Sequence, residues 1–271
     1  MIPAAMDYVR ADSAEAAVAA LAEHGEEAKL LAGGQSLIPL MRLRLATPAV
    51  LVDVGRASDL VGIAVDSDTV SIGALTTHSA LEHSTDLATA CPLLAHVASV
   101  VGDPAVRHRG TLGGSLAHAD PASDLPAAVL ALGGTLVVTG PGGTREVAAT
   151  DFFTGFLESA LAVDEVLTEV RVPVSTAGWA YQKFNRRAQD WAIVGAVVAE
   201  GGAGVALVNM GSTPLRASAV EAAVASGASA AEAAAGAADG TDPPTDTQAD
   251  AAYREHLARV LTARALEAAG A

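Results

Sequence analysis

The stretch from Val101 to Pro126, VGDPAVRHRGTLGGSLAHADPASDLP, constrains this chain more than any other. Gly110, Gly113 and Gly114 bracket Thr111 in a segment with little helical or strand periodicity, so the backbone can turn sharply and approach a ligand where a Cβ would collide. Thr111 and Ser115 add hydroxyls beside that bared backbone. Arg107, His108 and Arg109 precede the turn, and Asp120 and Asp124 follow it. In such a setting amide N–H groups can point at a phosphate. An earlier turn, Ala32-Gly33-Gly34-Gln35-Ser36, has the same chemistry.

A chain of 271 residues can bury a large core, and two domains is the natural expectation. Hydrophobic residues make up 51% but aromatics only 3%, so that core is expected to be built of Ala, Val and Leu. The 31 Asp and Glu against 16 Lys and Arg give a net charge of -15, which argues against nucleic acid and reads as a solubility feature. Cys91, the only cysteine, sits in the apolar run ACPLLAHVASVV and is expected to be a buried small hydrophobe. One thiol excludes an intrachain disulfide and an iron–sulfur cluster ligated by this chain's cysteines alone. No signal peptide and no apolar run of membrane-spanning length is visible, so the expected compartment is the cytoplasm.

In order, Asp12 is the expected N-cap of a first helix, with Glu15 completing a capping box, Ala17, Val18 and Leu21 as its inner stripe and Gly25 as its end. Lys29–Leu31 reads as a strand that delivers the chain to the Gly33-Gly34 turn. Ser36 then caps a short helix over Leu37–Leu45, and Val50–Val54 returns as a strand. A strand at VSIGA, a helix opened by Thr76 or Thr77 and the apolar helix around Cys91–Val101 lead into the second glycine turn. Beyond Pro126 come an apolar segment, a hairpin around Gly140-Pro141-Gly142-Gly143, and a strand over Glu165–Val172 that ends at Pro173. That proline and the Ser175–Gly178 segment mark the expected domain boundary.

The second part is expected to hold strands at Trp179–Arg186, Trp191–Glu200 and Val205–Met210, paired antiparallel with helices on one face. Two Ala-rich helices, the Pro-rich loop Thr241–Asp246 and an amphipathic closing helix follow. Its inner stripe reads as Tyr253, Leu257, Val260 and Leu261, with Glu255 and Arg259 paired on its surface.

Several familiar chemistries fail. Neither turn carries G-x-G-x-x-G or the P-loop Lys-Ser/Thr ending, and the seven histidines form no H-E-x-x-H or compact Cys/His set. Ser115, His118 and Asp120 lie too close in sequence to converge as a triad, and no G-x-S-x-G elbow surrounds Ser115.

The two turns, in this order and setting, carry a resemblance that spans almost the whole chain. LLAGGQSL, RHRGTLGGSLAHADPASDLP, EVLTEVRVP and YREHLARVLTARAL resemble the FAD-binding medium subunit of the molybdenum hydroxylases, the family of carbon monoxide dehydrogenase, xanthine dehydrogenase and bacterial aldehyde oxidase. The resemblance implies an α+β chain: an FAD-binding domain of the PCMH (vanillyl-alcohol oxidase-like) type over residues 1–174, with sub-parts at about 1–55 and 56–174. A small α+β domain over 175–271, with a three-stranded antiparallel sheet and helices, would complete it.

It also implies that Leu31, Ala32, Gly33, Gly34, Gln35, Ser36 and Leu37, with Thr111, Leu112, Gly113, Gly114 and Ser115, hold the FAD pyrophosphate. Asp124, Leu167 and Lys183 match further FAD contacts of the relatives, the last two nearer the ring, and Trp191 falls where some relatives carry an aromatic residue against the flavin. From the residues alone, Asp120 and Asp124 can equally cap a helix starting near Leu125, Arg107 and Arg109 read as surface charges, and Trp191 reads equally as core. The implied partners are a molybdopterin-binding large subunit and a [2Fe-2S] small subunit, in a dimer of heterotrimers. The alternative is a scaffold subunit that keeps the fold without its cofactor.

Overall fold

The computed structural model describes residues 2–271. Its first unit is a small parallel sheet, because each of its strands is joined to the next by a helix. Strands β1 (Asp7–Arg10), β2 (Ala28–Leu31) and β3 (Val50–Asp53) lie in the order β1-β3-β2, with Leu31 opposite Asp53. Between β1 and β2 runs the helix Ala14–His24, which buries Ala17, Val18, Ala20 and Leu21 and ends at Gly25 (φ 53°). Its cap is Ser13, whose hydroxyl accepts from the Ala16 N–H, and not Asp12. Asp12 is taken instead by the Arg10 guanidinium at 3.0 Å. The helix after the first glycine turn, Leu37–Arg42, stops three residues short of the expected Leu45, and Ser36 makes no side-chain cap bond.

The second sheet is antiparallel: β4 (Ile63–Val65), β5 (Thr69–Gly73), β6 (Thr135–Gly140), β7 (Gly143–Ala148) and β10 (Val166–Pro173), in the order β4-β5-β10-β6-β7. A two-stranded hairpin, β8 (Phe153–Gly155) with β9 (Glu158–Ser159), follows β7 along the chain. The helices His78–His83, Thr85–Ala90, Pro92–Ser99, Pro104–Arg109, Leu112–His118 and Asp124–Ala131 fill the span between β5 and β6. Cys91 is buried at the junction of two of them, and desolvation pushes its thiol up to about 11.

The segment read as an irregular turn is therefore helical from Leu112 to His118, with Thr111 as its N-cap. Its paired glycines hide the helical pattern, leaving only Leu112 and Leu116 as an i,i+4 apolar pair, both fully buried.

The last sheet has four antiparallel strands where three were expected: β11 (Ala180–Phe184), β12 (Val194–Ala199), β13 (Gly204–Val208) and β14 (Leu215–Arg216). The fourth is two residues long and leaves no alternation to read. Both faces of the sheet are covered, so helices on one face only is also corrected. Ala180, Val194, Ala196, Val198, Val205 and Leu207 pack on the C-terminal helices. Tyr181, Val197, Ala199, Ala206 and Val208 join the core of the first part. Between lies the helix Asp124–Ala131, buried along its whole length, and Gly204 admits the Ala131 carbonyl where a Cβ would collide.

The closing helix, Ala251–Ala269, buries Arg254, Leu257, Ala258, Leu261, Thr262, Ala265, Leu266 and Ala269. The expected stripe holds at Leu257 and Leu261, but Tyr253 is exposed and Arg254 is inside. The Arg254 guanidinium donates to the Ile193 carbonyl and to Asp246, while the Glu255–Arg259 pair stands on the surface as expected. Among the described residues no helix is long and apolar enough to cross a membrane.

Candidate functional site

The first glycine turn leaves β2 at Leu31 and enters the helix at Leu37. Gly34 adopts φ 75°, where only glycine is unstrained. The backbone N–H groups of Gly33, Gly34, Gln35, Ser36 and Leu37 donate to no group among the described residues, while the Gln35 amide folds back on the Gly33 carbonyl at 3.4 Å. Successive unengaged N–H groups around a left-handed residue form a concavity suited to an anion.

The second turn is built differently. The Leu112 N–H donates to the Thr76 carbonyl at 3.0 Å and the Gly113 N–H to the Ala74 carbonyl at 2.8 Å. The Gly114 N–H donates to the Thr111 hydroxyl at 3.1 Å, and the His78 N–H to the Gly110 carbonyl at 2.9 Å. Of the amides expected to face phosphate here, those of Leu112 to Ser115 are thus engaged inside the chain, while the Thr111 N–H donates to no group among the described residues. What the second turn supplies is a floor: a Cβ on Gly33 would collide with the Arg109 carbonyl and stand 2.9 Å from the Gly110 Cα. One on Gly114 would lie 3.8 Å from the Ala32 Cβ. The two turns are in contact, and it is the missing side chain of Gly33 that lets them be.

Leu167 is buried on β10 opposite Val138, at an irregularity in the strand pairing. The next carbonyl, of Thr168, accepts from the Ala74 N–H at 2.9 Å, which brings β10 to the residue under Gly113.

Asp124 is the first residue of its helix and caps nothing; Ser123 holds the cap position. Its carboxylate, 5% exposed, accepts from the Lys183 ammonium at 2.9 Å and from the Tyr181 hydroxyl. Burial raises the Asp124 carboxyl above its ordinary range, against the opposing pull of Lys183 and Tyr181. Burial and the adjacent carboxylate push the Tyr181 phenol well up. Asp120 caps no helix either; it closes its own turn by accepting from the Ala122 N–H at 2.8 Å.

Trp191 is 52% exposed, so it is not core, and no hydrogen bond joins it to either turn among the described residues. Its loop is held just beyond it, where the Asn209 side chain donates to the Ala192 and Ile193 carbonyls at 2.9 and 3.3 Å. Arg107, expected at the surface, is mostly buried and donates to Glu82 at 2.8 Å.

Three contributors escaped the sequence reading. Tyr181 carried a signal, since strand alternation puts it on the same side as Lys183. Ala74 and His78 carried none, because they act through backbone atoms and close packing.

Residues 4–175 match the family described as FAD binding domain in molybdopterin dehydrogenase, and residues 179–269 the CO dehydrogenase flavoprotein C-terminal domain. The chain is 41% identical to the carbon monoxide dehydrogenase medium chain of Afipia carboxidovorans, over 100% of this chain and 99% of that one. Its fold superposes on a chain of carbon monoxide dehydrogenase from Hydrogenophaga pseudoflava with a TM-score of 0.93 at 41% identity, covering 100% and 99%. A chain of quinoline 2-oxidoreductase from Pseudomonas putida 86 gives 0.91 at 33% identity, again covering 100% and 99%.

The site fits the cofactor that this family names. Unengaged amides at Gly33–Leu37 match a pyrophosphate's need for donors without added charge, and Gly33, with no Cβ, seats their turn directly on the backbone of Arg109 and Gly110. Sequence, fold and cradle agree that the chain belongs to the family of FAD-binding medium subunits of the molybdenum hydroxylases.

Proposed function

We propose that this chain holds the flavin through which a multi-subunit molybdenum hydroxylase passes electrons from iron–sulfur clusters to an external acceptor. The observation that carries the reading is the contact between the two glycine turns with the Gly33–Leu37 amides left free. In this reading Leu31–Leu37 bind the pyrophosphate through backbone N–H groups. Thr111–Ser115 form the floor and contribute the Ser115 hydroxyl. Asp124, Leu167, Lys183 and Trp191 contact the remainder of the cofactor. Bound flavin accepts two electrons and returns them singly, which suits a junction between one-electron and two-electron carriers.

The partners proposed are a molybdopterin-binding large subunit and a [2Fe-2S] small subunit, assembled as a dimer of heterotrimers; the family supports subunits of these kinds. A division near residue 174 into an FAD-binding and a C-terminal domain accords with the two family matches, 4–175 and 179–269. The substrate is chosen in another chain: relatives alike in fold belong to enzymes of carbon monoxide and of quinoline.

The test is flavin content and electron entry. The purified chain should bind FAD one to one, and the bound flavin should be reduced by a substrate-reduced partner complex but not by substrate alone. A chain that takes up no FAD would instead be a scaffold.

A further inference from the structure

Strand alternation brings two donors of β11 to one carboxylate. Tyr181 and Lys183 are two residues apart, so their side chains leave the same face of the strand, and they divide the oxygens of Asp124 between them. The phenol takes Oδ1 and the ammonium takes Oδ2 at 2.9 Å. Gly195, paired with Lys183 on β12, makes room for the phenol: a Cβ there would stand 2.9 Å from its oxygen and 3.1 Å from its Cε2. Lys183 also donates to the Val100 carbonyl at 3.0 Å, at the end of the helix Pro92–Ser99. Asp120, the other acid of this loop, is turned to its own backbone. Asp124, Tyr181 and Lys183 therefore form a closed cluster at the junction of the two halves, and the role given above to Asp124 and Lys183 leaves Tyr181 unexplained.

We propose that Tyr181 is a positioning residue for the flavin site: its hydroxyl holds Asp124 as a carboxylate, so that Lys183 meets the cofactor as half of a compensated pair and not as a free cation. The inference rests on the FAD-binding reading. Without the phenol, Oδ1 is a buried acceptor with no donor, and a carboxylate so placed relieves its cost by taking a proton from solvent. The pair then passes from net zero to one positive charge. A fixed cation favours the reduced cofactor, which carries more negative charge, over the oxidised one.

The experiment uses the full chain as wild type, Tyr181→Phe, Asp124→Asn and the double variant. In ligand-free protein labelled with carboxyl-13C aspartate, the Asp124 signal, identified by its loss in Asp124→Asn, should be that of an ionised group at pH 7.5 in wild type and of a protonated one in Tyr181→Phe. With FAD bound, potentiometry should show preference for reduced over oxidised FAD rising about tenfold in Tyr181→Phe, some 30 mV for a two-electron couple. Asp124→Asn should give the same shift, and the double variant no more. An ionised Asp124 with an unchanged potential in folded Tyr181→Phe overturns the proposal and leaves Tyr181 a packing residue. Should Tyr181→Phe fail to fold, an unchanged potential in Asp124→Asn overturns it equally. If wild type binds no FAD, the functional reading falls by itself, and the carboxyl signal still decides whether Tyr181 holds the charge on Asp124.

Discussion

Lys183 and Asp124 stand 2.9 Å apart, Nζ to Oδ2, with both side chains nearly removed from solvent although they belong to opposite halves of the chain. Removing one partner of a buried pair strands the other, which costs about 3 to 5 kcal/mol, more than the pair itself contributes relative to a hydrophobic replacement. Lys183→Met should therefore destabilise the ligand-free protein by about 3 kcal/mol at pH 8. The loss should shrink on acidification. Without Lys183 the folded pKa of Asp124 lies still further above its unfolded value, so the stranded charge is relieved as pH falls through that folded pKa. Urea denaturation at pH 8 and pH 5 checks it, and a pH-independent loss would show that packing alone was removed.

The glycines of the two turns are required for different reasons, and their substitutions should separate. Gly33→Ala sets a Cβ into the Arg109 carbonyl, which as backbone cannot yield, so the turns must part and FAD uptake should be lost. Gly34→Ala meets both the left-handed φ and the Ile38 side chain at 2.7 Å; the conformational part alone costs about 1 to 2 kcal/mol. Gly114 is helical, so its β-branched replacement carries no positive-φ penalty and acts by crowding the Thr111 hydroxyl at 2.7 Å. Loss of that cap is worth about 1 kcal/mol. Flavin-to-protein ratios and melting temperatures should rank Gly33→Ala as the strongest block to FAD and Gly114→Val as a weaker one.

Trp191, half exposed, has little packing to lose. Trp191→Ala should change stability by no more than about 0.5 kcal/mol. If it covers the flavin, reoxidation of reduced protein by dioxygen should quicken while FAD stays bound. Denaturation with stopped-flow reoxidation measures both, and an unchanged rate would place the reactive face elsewhere.

What the sequence made legible follows from where physical patterns are local. The hairpin at Gly140–Gly143, the helix buried on Ala17 and Leu21, and buried Cys91 all announce themselves within a few residues. The cap of the first helix was missed by one position because Asp12 and Ser13 are both good caps, and only the Arg10 contact decides between them. The helix at Leu112–His118 was unreadable because two consecutive glycines run against helical propensity; Gly113 admits the close approach of Ala74, and Gly114 leaves room for the Thr111 hydroxyl. Arg254 was left out of the inner stripe because charge signals solvent, whereas its carbonyl and carboxylate partners lie some sixty and eight residues away in sequence. Contact between the two turns was legible only through resemblance; no local pattern states that Gly33 meets Gly110.

His78 gives the chain a specific acid sensitivity. Its ring is 4% exposed and lies against Gly110, where a Cβ would stand 2.7 Å from the ring Cδ2, and its Nδ1 has no hydrogen-bond partner among the described residues. Burial, with the nearby Arg107 charge adding to it, lowers its pKa to about 4. Since the folded value lies below the ordinary 6.5 or so, the fold favours the neutral ring, and its stabilisation is present above pH 6.5 and lost as pH falls toward 4. The full difference is up to about 3 kcal/mol. His78→Leu, which cannot titrate, should show a stability profile flatter than wild type between pH 6.5 and 4. Because the ring supports Gly110, FAD release from wild type should quicken over the same interval. Denaturation and flavin fluorescence across this range check both expectations, and parallel profiles for the two proteins would mean that His78 is not the group that titrates.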